Sequence, residues 1–103
     1  MRKQIWYLHL LMSTASSAQR KALLDTITND QLKALTEVTH NLLQGHIPIS
    51  EAQKRALRKH KTFLRILGNI RVSFSQKREV LCRKGAVIAL LLKVAEPQLK
   101  LFL

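Results

Sequence analysis

Two Ser/Thr-x-x-Gln spacings, Thr28 to Gln31 and Ser50 to Gln53, each open a run of apolar residues at helical spacing. In such a box the hydroxyl accepts from the backbone N–H three residues on, while the Gln side chain reaches back to the capping backbone. The pair therefore fixes where a helix begins. After the first box, Leu32, Leu35, Val38, Leu42 and Leu43 follow the 3.6-residue period of one helix face. Asp30 suits the positive end of the helix dipole, and Gly45 stands where a C-terminal cap belongs. Pro48 makes "HIPIS" a linker, because proline cannot continue the helix. The second box launches a helix expected to run from Ser50 to Gly68.

The remaining punctuation is of the same kind. Ser16 and Ser17 are cap candidates for a helix that places Leu23, Leu24 and Ile27 on one side. "NIRVS" reads as a connection, after which Ser73 or Ser75 opens a shorter helix to Lys84, ended by Gly85. "AVIALLLKVA" reads as a final helix stopped by Pro97. Alternation of the strand type appears only at Ile70, Val72 and Phe74. The fold class is all-α, a small bundle of four to five short helices. At 103 residues the chain is one domain with a modest core.

Three segments follow: an apolar N-terminal stretch at 1–12, a basic helical domain at 13–95, and a C-terminal tail at 96–103. The first stretch is either one packed helix or an extension upstream of a start at Met12. Arg2 and Lys3 before "IWYLHLLM" imitate a secretory signal, but the apolar run is short and contains His9, which argues against secretion. Only seven residues separate Gly85 from Lys93, well short of the ~20 that a bilayer span needs. Cys82 is the only cysteine, so it supports neither a disulfide framework nor a zinc set, and it reads as a small apolar helix residue in a reducing compartment.

Charge carries the functional signal. The chain has 18 Lys and Arg against 6 Asp and Glu, a net charge of +12. Such an excess repels itself in a compact state and suits a polyanionic partner. It is also localised: 54–84 holds eleven of the cations and a single acid, Glu79. On a helical wheel Ala52, Ala56, Leu57, Phe63, Leu64 and Leu67 share one arc, with His60 in its middle. Lys54, Arg58, Lys61 and Arg65 stack on the opposite side at spacings of 4, 3 and 4, flanked by Arg55 and Lys59. Like charges so placed cost a few tenths of a kcal/mol per pair, where an ordinary surface would intersperse Glu. Arg71, Lys77, Arg78, Arg83 and Lys84 continue the expected nucleic-acid-binding patch.

Nothing points to base-specific reading. Asn69 and Gln76 stand where turn and cap roles use them, and helix–HIPIS–helix is a poor helix-turn-helix because its turn is long and contains proline. The four histidines share no ligand spacing with Cys82, no Gly-rich phosphate loop exists, and Ser16 and Ser17 have no base to activate them. The chain therefore reads as a non-enzyme with no cofactor and no metal.

The stretch from "SSAQRKALLDTI" through "GHIPIS" and "QKRALRKHKTFLR" to "KREVLCRKG" resembles short basic proteins of Polinton/adintovirus-type elements of animals. The junction "RKGAVIALLL", a basic stretch meeting a glycine and an apolar run, is similar to the adenovirus core peptide mu. The likeness covers roughly residues 13–92. It implies a virion-core or DNA-condensing protein acting in the nucleus or virion, with Lys54, Arg55, Arg58, Lys59, Lys61 and Arg65 as contacts. The expectation is a largely sequence-nonspecific nucleic-acid-binding protein, DNA ahead of RNA. Two alternatives stand beside it: a cationic amphipathic protein at a membrane surface, and a helical adaptor for an acidic protein.

Overall fold

The computed structural model describes residues 4–14 and 16–97. Among them are seven α-helices: α1 (Ile5–Ser13), α2 (Ser17–Asp25), α3 (Asn29–Leu43), α4 (Glu51–Arg58), α5 (Lys61–Leu67), α6 (Phe74–Arg83) and α7 (Gly85–Val94). No strand occurs among the described residues. The all-α class stands, while the expected count of four to five does not. The two additional helices are α1 and the product of a split in the helix expected from Ser50 to Gly68.

The caps form as the spacings require. Thr28 Oγ1 accepts from Gln31 N at 3.1 Å while Gln31 Oε1 accepts from Thr28 N at 2.9 Å. Ser50 and Gln53 repeat the exchange at 3.2 and 2.9 Å. Ser16 caps α2 and Ser73, rather than Ser75, caps α6. Gly45 has φ +77°, the left-handed conformation that glycine adopts without a Cβ penalty. Gly85, expected to end α6, is instead the first residue of α7. The break falls at Lys84, whose φ −126° and ψ 34° leave the helical region.

The core gathers around α7, which carries one charge in ten residues and packs against α1, α2, α4 and α6. Its Ile88, Leu91 and Leu92 have no exposed surface. Leu8 and Leu11 of α1 are equally covered, so this stretch packs as a helix within the same core. The Tyr7 hydroxyl of α1 donates to the Leu23 carbonyl of α2 at 2.8 Å, and burial pushes its phenol up to about 12. Leu32, Leu35 and Val38 form the buried face of α3, as their period predicts. Of the expected tail, 98–103 lies outside the described residues, as does the basic pair Arg2 and Lys3. α7 ends at Val94, short of Pro97, and Glu96 and Pro97 are themselves helical, so Pro97 does not supply the expected stop.

The split at Lys59–His60 has a tertiary reason. His60 takes φ −116° and ψ 25°, and its N–H bonds to the Leu57 carbonyl at 2.9 Å in a tight turn. The interruption lets α4 pack on α7 while α5 packs on α3 and α6. Leu57 is buried on one side of the turn, and Phe63, Leu64 and Leu67 on the other. His60 is half-buried at the joint. Ala52, expected in the apolar arc, is exposed, because the first turn of α4 stands clear of the core.

Candidate nucleic-acid interface

Lys54, Arg55 and Arg58 of α4, Lys59 in the turn, and Lys61 and Arg65 of α5 all have exposed side chains. The Ser50 cap sets the rotation of α4, and burial of Leu57 turns the basic side outward. One acid accompanies them: Glu51 approaches Lys54 at 3.5 Å with both groups largely in water. Such an exposed contact contributes little. Arg55 and Arg58 also lie in the last turn of α4, where cations complement the negative end of the helix dipole.

The turn divides this row between two concavities. Lys54, Arg58 and Lys61 border a groove of about 480 Å³ formed by the end of α3, the 44–50 connection and α4–α5. Lys59 lines a second, smaller depression of about 240 Å³ between α5 and α6, together with Arg83 and Lys84. The expected continuation of the patch from α5 to the end of α6 is thus a spatial one. Arg83 is partly satisfied by Glu79 at 3.0 Å, again between exposed groups. Arg71 is exposed in the α5–α6 connection.

Two of the eleven expected contacts must be corrected. Lys77 is 1% exposed and cannot reach a phosphate. Its Nζ donates to Thr36 Oγ1 at 2.9 Å, and burial lowers its pKa. The signal was present in the sequence: Lys77 falls between Phe74 and Leu81 on the inward face of α6, at helical spacings of 3 and 4. Arg78 is half-buried and serves the fold, because its guanidinium donates to the Ile27 carbonyl at 3.3 Å and to Asn29 Oδ1. It ties α6 to the α2–α3 turn.

Other expected roles sort similarly. Asn69 Oδ1 accepts from Arg71 N at 2.9 Å, and Gln76 N donates to the Ser73 cap at 3.2 Å, so both positions support turns and caps. Cys82 is exposed rather than apolar packing, with Sγ 3.7 Å from Asp25 Oδ1. The hydrogen bond from Lys21 at 2.8 Å holds the Asp25 carboxyl below its usual range and raises Lys21 in turn. That corner is therefore neutralised and does not extend the basic surface. Among the described residues no group of three His, Cys, Asp or Glu side chains could hold a metal ion, and no helix is long and apolar enough to cross a membrane.

Sequence reasoning missed the apolar floor of the larger groove. The helical period puts Leu43 with Leu42 on the core face of α3, but Leu43 is 44% exposed on the groove floor. Ile47 and Ile49 come from the linker "HIPIS", whose two isoleucines were its only hint. No protein-family model, no curated protein and no solved structure matches the chain.

Proposed function

We propose that this chain binds nucleic acid through phosphate contacts, without reading sequence, by means of the basic surface of α4 and α5. What supports this reading is the set Lys54, Arg55, Arg58, Lys59, Lys61 and Arg65, all exposed on adjoining elements with Glu51 as the one acid among them. Phosphate neutralisation by such a set releases counterions and needs no groove-reading side chain. The virion-core, DNA-condensing form of this reading is supported by the resemblance of "GHIPIS", "QKRALRKHKTFLR" and "RKGAVIALLL" to viral basic proteins. On that resemblance DNA is proposed ahead of RNA.

Binding to two unrelated duplexes and to RNA, followed by fluorescence anisotropy across salt concentrations, tests it. Six phosphate contacts give a slope of log affinity against log salt of about −5 on duplex DNA, and equal affinities for the two duplexes. Reversing Arg58 and Lys61 to Glu removes about one unit of slope each. An absence of binding at low salt overturns the reading.

One observation favours a second reading, a membrane-surface protein. Trp6 and Leu10, one turn apart on α1, are 76% and 50% exposed. Tryptophan suits the polar–apolar boundary of a bilayer. Because Trp6 is the only tryptophan, its emission reports on anionic vesicles directly. A blue shift with vesicles in the absence of DNA binding decides for the membrane.

A further inference from the structure

The larger groove has two chemistries that nucleic acid does not satisfy together. Its floor is apolar, built from Leu42, Leu43, Ile47, Ile49, Leu57 and Leu64. Its volume of about 480 Å³ lies within the ~300–1,000 Å³ usual for ligand sites. Along one wall run Lys54, Arg58 and Lys61, spaced i, i+4 and i+7. A duplex offers phosphates to the wall but nothing apolar to the floor. Among the described residues no aromatic side chain lines the groove, so it lacks the platform on which an unpaired base would stack.

We propose that this groove docks an acidic amphipathic helix of a partner protein. The three cations come from two helices, Lys54 and Arg58 from α4 and Lys61 from α5 across the turn at Lys59–His60, so the wall offers three separate positive charges beside the apolar floor. Acids on the flank of a partner helix then meet Lys54, Arg58 and Lys61, while apolar residues on its adjoining face enter the floor. The chain cannot supply this partner itself, since its 6 acids are scattered among 18 cations and a second copy would bring like charge to the wall. Leu43, already 44% exposed, is positioned as the first contact of the incoming apolar face.

The test uses the full chain and two synthetic 18-residue peptides of identical Leu, Glu and Ala composition. In one, leucines recur at i, i+3, i+4 and i+7 beside a row of Glu; in the other the order is permuted so that the stripe is lost. Anisotropy should show the striped peptide binding about tenfold or more tighter than the permuted one, the ratio that loss of a well-buried apolar anchor produces. Leu43→Ser, at a solvent-facing position, should weaken the striped peptide by a similar factor and leave duplex DNA affinity unchanged. Arg58→Glu should weaken both peptide and DNA. Equal affinity for the two peptides, or an unaffected Leu43→Ser, overturns the proposal, because the wall would then act by charge alone. A wild-type dimer that Leu43→Ser converts to monomer overturns it in favour of a second copy. Anionic vesicles that displace the striped peptide at equal lipid and peptide concentration overturn it in favour of lipid. DNA affinity, read on the same variants, separates failure here from failure of the nucleic-acid reading.

Discussion

Lys77→Met separates what burial does to a cation from what a cation does for a surface. The Lys77 side chain is 1% exposed, and the one acceptor that reaches its Nζ among the described residues is Thr36 Oγ1 at 2.9 Å. An ammonium carries three donors, so two remain without a partner there. Each buried donor left unmade costs about 1–3 kcal/mol, whereas the charge-assisted bond to Thr36 returns about 1.5–3 kcal/mol. Methionine preserves the unbranched stem in the same space and removes the donors. The variant should therefore be more stable than the parent at pH 7, by about 1–3 kcal/mol. Burial lowers the folded pKa of Lys77 from its ordinary 10.5, so the folded state binds fewer protons than the unfolded state between the two values. Parent stability thus rises with pH over that interval. The advantage of Met is complete below the folded pKa and shrinks as pH approaches 10.5. Urea unfolding of both proteins, followed by circular dichroism from pH 7 upward, measures the difference. Duplex DNA affinity should not change. A variant less stable than the parent at pH 7, or a difference independent of pH, refutes the reasoning.

Gly68→Ala probes the close approach of α5 to α3. An added Cβ would stand 3.0 Å from Leu43 Cδ1, 3.1 Å from Thr39 Cγ2 and 3.2 Å from the His40 backbone nitrogen. Leu43 can turn away into solvent, but buried Thr39 and the backbone cannot, so the substitution should cost about 1–3 kcal/mol in thermal or urea unfolding. Tyr7, the only tyrosine, should titrate near 12 in the native protein and near its ordinary 10.0 in urea, read by ultraviolet absorbance. A raised phenol pKa means that its contribution to stability is complete below pH 10 and lost as pH rises through about 12. A native midpoint near 10 would show that the phenol is not covered.

Within the candidate site, legibility followed the range of the interaction. Lys54, Arg55, Arg58, Lys61 and Arg65 could be placed outward because Leu57, Leu64 and the Ser50 cap fix the rotation within a few residues. A tally of charge along the chain hides the position of Lys77, whereas its neighbours Phe74 and Leu81 put it on the inward face of α6. The groove was invisible because its floor joins the end of α3, the 47–49 connection and α4–α5. Those pieces meet only once the chain has turned at Gly45 and again at His60.

The sequence alone determined the helical class, the starts at Thr28 and Ser50, the turn at Gly45 and the basic excess, and it narrowed two further starts to Ser16 or Ser17 and to Ser73 or Ser75. Each of these is a hydrogen bond, a dihedral or a charge settled within about four residues, so no distant partner can revise it. Tertiary structure decided the break at Lys59–His60, the burial of Lys77, the structural use of Arg78, the exposure of Cys82 and the apolar groove beneath the basic wall. Those outcomes depend on which helix covers which. In a core assembled around α7, coverage is set by packing between residues tens of positions apart, and no local pattern carries that information.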